Sequence, residues 1–253
     1  IISFCAFFFS LTNQVSIEAS SDDNNSINYV HLKNTSNNLS TIYSTSYQNK
    51  IYNQIAKLKK YKNYTIEHPL LITNPYGTNT TSVYMYFKTS DELQATYTIH
   101  CEGYNDFSRT LNNNTLSGYT TNHEYLLVGA IPGQINTITV TLTNKQGNPV
   151  DTLSWSYNAP SLQGGDQYLT VDCDDANTSS LSNGLYTVLG NDVTEDSEEQ
   201  AYMRLYDNDG ILRSEIPIIS YRSHRILFED NTMYFSISST KIVGMNQTGY
   251  ISR

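Results

Sequence analysis

PLLITNPYGTNTTSVYMYFKT, residues 69–89, holds two apolar runs on either side of a turn. Leu70, Leu71 and Ile72 enter at Asn74-Pro75-Tyr76-Gly77, and Val83, Tyr84, Met85, Tyr86 and Phe87 leave. Proline presets φ and glycine tolerates φ > 0, so the centre is turn chemistry. The flanks predict two strands folded over a corner or hairpin.

Outward from this stretch the rhythm stays that of short strands. Candidates are 69–73, 82–88, 94–101, 124–130, 136–143 and 150–157. Turn signals separate them at Asn74-Pro75, Ser90-Asp91, Asn112 to Asn114, Pro132-Gly133 and Gly147-Asn148-Pro149. Ile138, Val140 and Leu142 alternate with Thr137, Thr139, Thr141 and Thr143, a period of two with one buried face. Six short strands in one domain predict a small sandwich, with Trp155, the chain's one tryptophan, in its core or at its boundary.

Composition supports an all-β fold. The 253 residues include 21 Tyr, and aromatic side chains suit a half-buried pleated surface. Only 15% of residues are charged and the net charge is −9, which argues against nucleic acid as a partner.

The chain opens on IISFCAFFFSL, residues 1–11, an apolar run too short to span a bilayer and suited to the core of a secretory signal. Cleavage is expected after Ala19, so 1–19 reads as a signal remnant and the protein as exported. Cys5 is a weak lipidation candidate because Phe4 precedes it. Residues 20–64 read as a polar spacer, Asn- and Ser-rich to about residue 40, followed by an amphipathic helix. Tyr47, Ile51, Ile55 and Leu58 share one helix face; Lys50, Lys57, Lys59, Lys60 and Lys62 surround it. The simplest reading docks that helix on its own domain with a solvated lysine face.

A sandwich is expected over 65–160, with Ala159 to Gly165 as a linker. Beyond it, strands are expected at Leu185–Leu189, Tyr202–Tyr206, Leu212–Ile219, Arg225–Phe228, Met233–Ser238 and Lys241–Asn246. Asp207-Asn208-Asp209-Gly210 and Asn246-Gln247-Thr248-Gly249 are tight polar turns, spaced like the hairpins of propeller blades.

Residues with chemical potential are scattered. Asp207-Asn208-Asp209-Gly210 imitates the start of a calcium loop but lacks the closing Glu, so it reads as a turn. Asp172, Asp174, Asp175 and the Glu195 to Glu199 run lack ligand spacing. His31, His68, His100 and His123 stand singly; His224 lies among Arg222 and Arg225, a setting that suits an anion, and is a weak candidate. Cys101 and Cys173 could pair after export, or stay as two buried thiols. Asn34, Asn63 and Asn79 head acceptor sequons, from which glycosylation is not inferred. No residue is assigned a catalytic, metal-binding or cofactor-binding role.

The ordered set of motifs resembles the bacterial arylsulfate sulfotransferase family. The matching pieces are Asn74 to Gly77 with Tyr84 to Thr89, Ile131-Pro132-Gly133-Gln134 with Asn136, Leu181 to Leu189, Tyr206 to Ile216, Tyr221 to Phe228 and Met233 to Val243. The resemblance implies a small sandwich ahead of a six-bladed β-propeller, whose start would occupy 161–253. It implies transfer of a sulfuryl group from an aryl sulfate donor to a phenolic acceptor, with no cofactor and no nucleotide sulfate donor. A funnel histidine is sulfurylated and then relieved by the acceptor, helped by further His and Arg. Those histidines fall downstream of Arg253, so none maps onto this chain, and His224 precedes the first of them. The 253-residue chain is expected to be inactive alone, its sandwich serving packing against the propeller or homodimer contacts. The alternative is a non-enzymatic secreted β-sandwich that binds a ligand or partner. A third reading, a membrane-attachment helix through Lys50 to Lys62, fits the overall −9 charge poorly.

Overall fold

The computed structural model describes residues 27–112, 117–165, 184–188, 201–219 and 226–252. Two helices come first. Helix α1 (Leu39–Ile42) is capped by Asn38, whose Oδ1 accepts from the Thr41 amide at 3.0 Å. Helix α2 (Thr45–Tyr61) is capped by Ser44, which accepts from the Tyr47 amide. Side-chain caps satisfy amide donors that the first turn leaves open. Lys59 and Lys60 in the last turn of α2 complement the helix dipole. Its apolar stripe, Tyr47, Ile51, Ile55 and Leu58, is buried together with Gln48.

The turn at 74–77 is built as its composition dictates: Asn74 and Gly77 both take positive φ. It joins β1 (Leu70–Thr73) to β2 (Val83–His100), paired antiparallel from Leu70↔Tyr86 to Thr73↔Val83. Strand β2 corrects the expected pair 82–88 and 94–101. The Ser90-Asp91 signal does not break the chain; it survives as an irregularity between Lys88 and Leu93 within one 18-residue strand. The first half of β2 pairs with β1 and with β4 (Thr120–Leu127), the second with β3 (Phe107–Leu111) and β5 (Ile135–Thr143). Hydrogen bonding to two partners on each side of the irregularity outweighs a local turn preference. Strand β3 was not expected from the sequence, and β4 begins four residues before the expected 124.

Strand β6 (Pro149–Asn158) closes the sheet beside β5. The threonine-rich alternation holds: Asn136, Ile138, Val140 and Leu142 point inward on β5. Trp155 is buried and its indole N–H donates to Tyr29 Oη at 2.8 Å. Tyr29 lies in the expected spacer, yet it bridges to Leu71, with the Val30 amide donating to Leu71 O at 2.8 Å. The described part of that segment is therefore tied to the sandwich at this point.

Two further antiparallel sheets follow. One orders β7 (Tyr186–Val188), β8 (Ala201–Tyr206) and β9 (Leu212–Ile218); the other β10 (Ile226–Glu229), β11 (Thr232–Ser238) and β12 (Lys241–Asn246). Asp230 and Asn231 both carry positive φ, the geometry of a two-residue hairpin that follows strand twist. Pro217 sits in β9, the edge strand of its sheet, where a missing N–H costs no ladder bond. One contiguous apolar cluster runs from Ile51 through Met85, Phe87 and Trp155 to Met203, Ile216, Phe235 and Val243. Among the described residues no helix is long and apolar enough to cross a membrane.

Candidate functional site

The densest buried polar chemistry lies where the sandwich meets β8 and β9. Residues Thr78 to Ser82, just past the turn, are all buried, although all are polar. Each finds a partner across or along the junction. Thr78 Oγ1 donates to Gly249 O at 2.7 Å, and the Thr80 amide donates to Glu215 O at 3.2 Å. Thr81 Oγ1 lies 3.1 Å from Arg213 O and 2.8 Å from Ser214 Oγ, which itself donates to Asn79 Oδ1 at 2.7 Å. Ser82 Oγ donates to Asn79 O. Residues 79–81 are thus tied to β9 by one backbone bond and a set of side-chain bonds. Asn79 is buried in it, so its sequon is closed to a glycan.

Arg213 is wholly buried. Its Nε donates to Asp207 Oδ2 at 2.6 Å, while Nη2 donates to Asn105 O at 2.7 Å and Nη1 to Gly129 O at 3.3 Å. The guanidinium also lies over the Phe107 ring, 5.5 Å from its centre. Asp207 uses its other oxygen to accept from the amides of Asp209 and Ile211, closing the turn expected at Asp207 to Gly210. Both carboxylate oxygens are engaged, so the calcium-like lettering serves a turn. Among the described residues no cluster of three or more ligand-type side chains could hold a metal ion.

Glu215, also wholly buried, faces Arg204 at 3.4 Å and accepts from the amides of Gln163 and Gly164. Burial pushes its carboxyl pKa upward, against the downward pull of the Gln163 amide and the Arg204 charge. Gly164 permits this contact, because a Cβ there would lie 2.5 Å from Arg204 Nη2. On the helix side, Gln48 ties three elements together. Its Nε2 donates to Ile42 O and Tyr76 O, and its Oε1 accepts from the Ile251 amide.

The histidines separate sharply. His31 and His68 are exposed, and His100 pairs with exposed Asp106 at 2.7 Å. His123 is completely buried, stacked on Phe87 at 4.4 Å with a 6° tilt. Its ring nitrogens reach Tyr125 Oη at 2.7 Å and Thr89 Oγ1 at 3.1 Å. Burial lowers its pKa to about 4, which keeps the ring neutral. His224 with Arg222 and Arg225, the acidic groups Asp172 to Asp175 and Glu195 to Glu199, Cys5 and Cys173 all lie outside the described residues. Cys101 is a buried thiol whose pKa is raised by burial.

Sequence reasoning singled out Asp207 for its turn and missed the Arg213, Glu215 and Arg204 set. The usable signal was a charge inside an apolar strand: Arg204 within AYMRLY and Arg213 and Glu215 within LRSEIPI. Such charges survive burial only when paired. Every cation and carboxylate of this set is committed to a partner within the fold. Chemically the arrangement is a lock between sheets.

Residues 70–159, the span of β1 to β6, match the family described as the arylsulfotransferase Ig-like domain. No curated protein matches the chain. The sandwich that offers Thr78 to Ser82 to β9, and Asn105 and Gly129 to Arg213, is thus similar over residues 70–159 to the Ig-like domain of arylsulfotransferases.

Proposed function

We propose that this chain is the amino-terminal portion of an exported arylsulfate sulfotransferase, with the sheets after residue 184 as the opening of a β-propeller. The observation that carries the reading is the Ig-like match at 70–159 joined, through a fully buried polar junction, to strand hairpins of blade type. Two turns repeat one design about 40 residues apart, the spacing of one blade. Asp207 Oδ1 accepts from the amides of Asp209 and Ile211, and Asn246 Oδ1 accepts from those of Thr248 and Tyr250. Gly210 and Gly249 take positive φ at equivalent places.

In this reading the enzyme moves a sulfuryl group from an aryl sulfate to a phenol through a sulfurylated histidine on a later blade. Covalent relay divides one difficult transfer into two easier ones. The Ig-like domain is a positioning element that anchors the first blade, and it can also supply contacts to a second subunit. The test compares the complete gene product with the 253-residue chain, using p-nitrophenyl sulfate as donor and phenol as acceptor. The complete protein releases p-nitrophenolate in an acceptor-dependent manner, and the 253-residue chain releases none. Turnover by the 253-residue chain, or none by the complete protein, overturns the proposal.

A further inference from the structure

The chain is acidic overall, yet its charge is segregated. No Asp or Glu occurs from residue 24 to residue 66, while six of the fifteen Lys and Arg do. Helix α2 contains no acid at all and buries one stripe. Opposite that stripe, one helical face carries Lys50, Lys57 and Lys60, all exposed, around Asn53 and a shallow hollow lined by Ala56. Tyr61 borders the face and is 81% exposed. Lys59, by contrast, turns away to Glu124 at 2.6 Å and contributes to the fold.

We propose that this face of α2 is a docking surface for a bilayer rich in anionic lipid. Charge complementarity selects the occupant: the face is uniformly basic in a protein whose acids all lie outside 24–66. Lysines near an anionic surface each add a favourable, salt-screened increment. Exposed tyrosine suits the headgroup layer, where a ring sits with its apolar body inward and its hydroxyl wet. Two exposed tyrosines frame the strip, Tyr61 near its end and Tyr52 on the flank. The contact is peripheral, since the apolar stripe of the helix is already consumed by the core.

Sedimentation with vesicles tests this on the whole chain. Vesicles of phosphatidylglycerol mixed with phosphatidylcholine pellet the protein at low ionic strength, and phosphatidylcholine alone does not. Binding falls off at about 0.5 M salt, where the Debye length is only about 4 Å. The triple variant K50E/K57E/K60E loses at least about tenfold in affinity. K145E, a charge reversal at an exposed lysine of the sandwich, stays at the wild-type value. A K50Q/K57Q/K60Q variant, with unchanged helix signal in circular dichroism, falls between. Equal binding to both vesicle types, or equal loss in K145E and the triple variant, overturns the proposal. Because the readout is pelleting, the outcome is separate from that of the sulfotransferase assay.

Discussion

Removing the Arg213 guanidinium should uncouple the sandwich from the sheet it grips. Arg213→Met keeps much of the apolar stem and deletes the head group. It leaves Asp207 Oδ2 without its 2.6 Å donor and strips Asn105 O and Gly129 O of theirs. Breaking a buried ion pair by removing one partner costs about 3–5 kcal/mol, mostly as the burden of the stranded charge. For a domain of this size that is a drop of about 10 °C in melting temperature. Asp207→Asn is the sharper partner variant. Asn still caps the turn through Oδ1, but Arg213 stays buried as a lone cation. The double variant R213M/D207N removes both charges and should therefore be more stable than D207N alone, an ordering that additive costs forbid. Trp155, the chain's one tryptophan, reports the sandwich core, whereas far-UV circular dichroism reports all strands. In the wild type the two signals should melt together; in R213M the fluorescence transition should separate from the dichroism. A loss below about 1 kcal/mol, coincident transitions in R213M, or a double variant no better than D207N would refute the lock.

His123 makes stability depend on pH. Its folded pKa of about 4 lies below the unfolded value of 6.5, so the unfolded chain takes up the proton first. Stability from this group is whole above pH 6.5 and is lost as pH falls toward 4, about 3 kcal/mol in all. Denaturant midpoints measured across that window should flatten in His123→Phe, which keeps a ring to stack on Phe87 and does not titrate. Gly77→Ala should cost about 1 kcal/mol for its positive φ, plus crowding, since the new Cβ would lie 2.9 Å from Ile42 Cδ1. Adding Ile42→Val should restore only the crowding part, and a full rescue in the urea midpoint would show that φ is not limiting.

What was legible in the sequence was whatever is set by neighbours a few residues away. The Thr/Ile alternation of β5, the helical stripe from Tyr47 to Leu58 and the glycine turns all follow from local periodicity or φ. Strand β3 escaped because FSRTL shows no alternation, and its place is set by pairing with the far half of β2. His123 escaped because its burial comes from register: it stands opposite Phe87 across β2 and β4. Arg213 escaped because its acceptors, Asn105 and Gly129, lie more than eighty residues upstream.

The stretch Thr78 to Ser82 joins the two cases. It is polar throughout and follows directly on the turn at 74–77. Its polarity has another cause. A buried hydroxyl or amide left without a partner costs about 1–3 kcal/mol, so each of these side chains is tolerable only if a particular acceptor stands opposite. Glu215 O, Arg213 O and Ser214 Oγ on β9, and Gly249 O in the turn after β12, are those acceptors or partners, all in the chain that follows the sandwich. A different sheet, or the same one shifted by a residue, would strand several of them at once. The polar run therefore specifies which surface the sandwich accepts and in what register. The stretch is the part of the sandwich shaped by the rest of the chain.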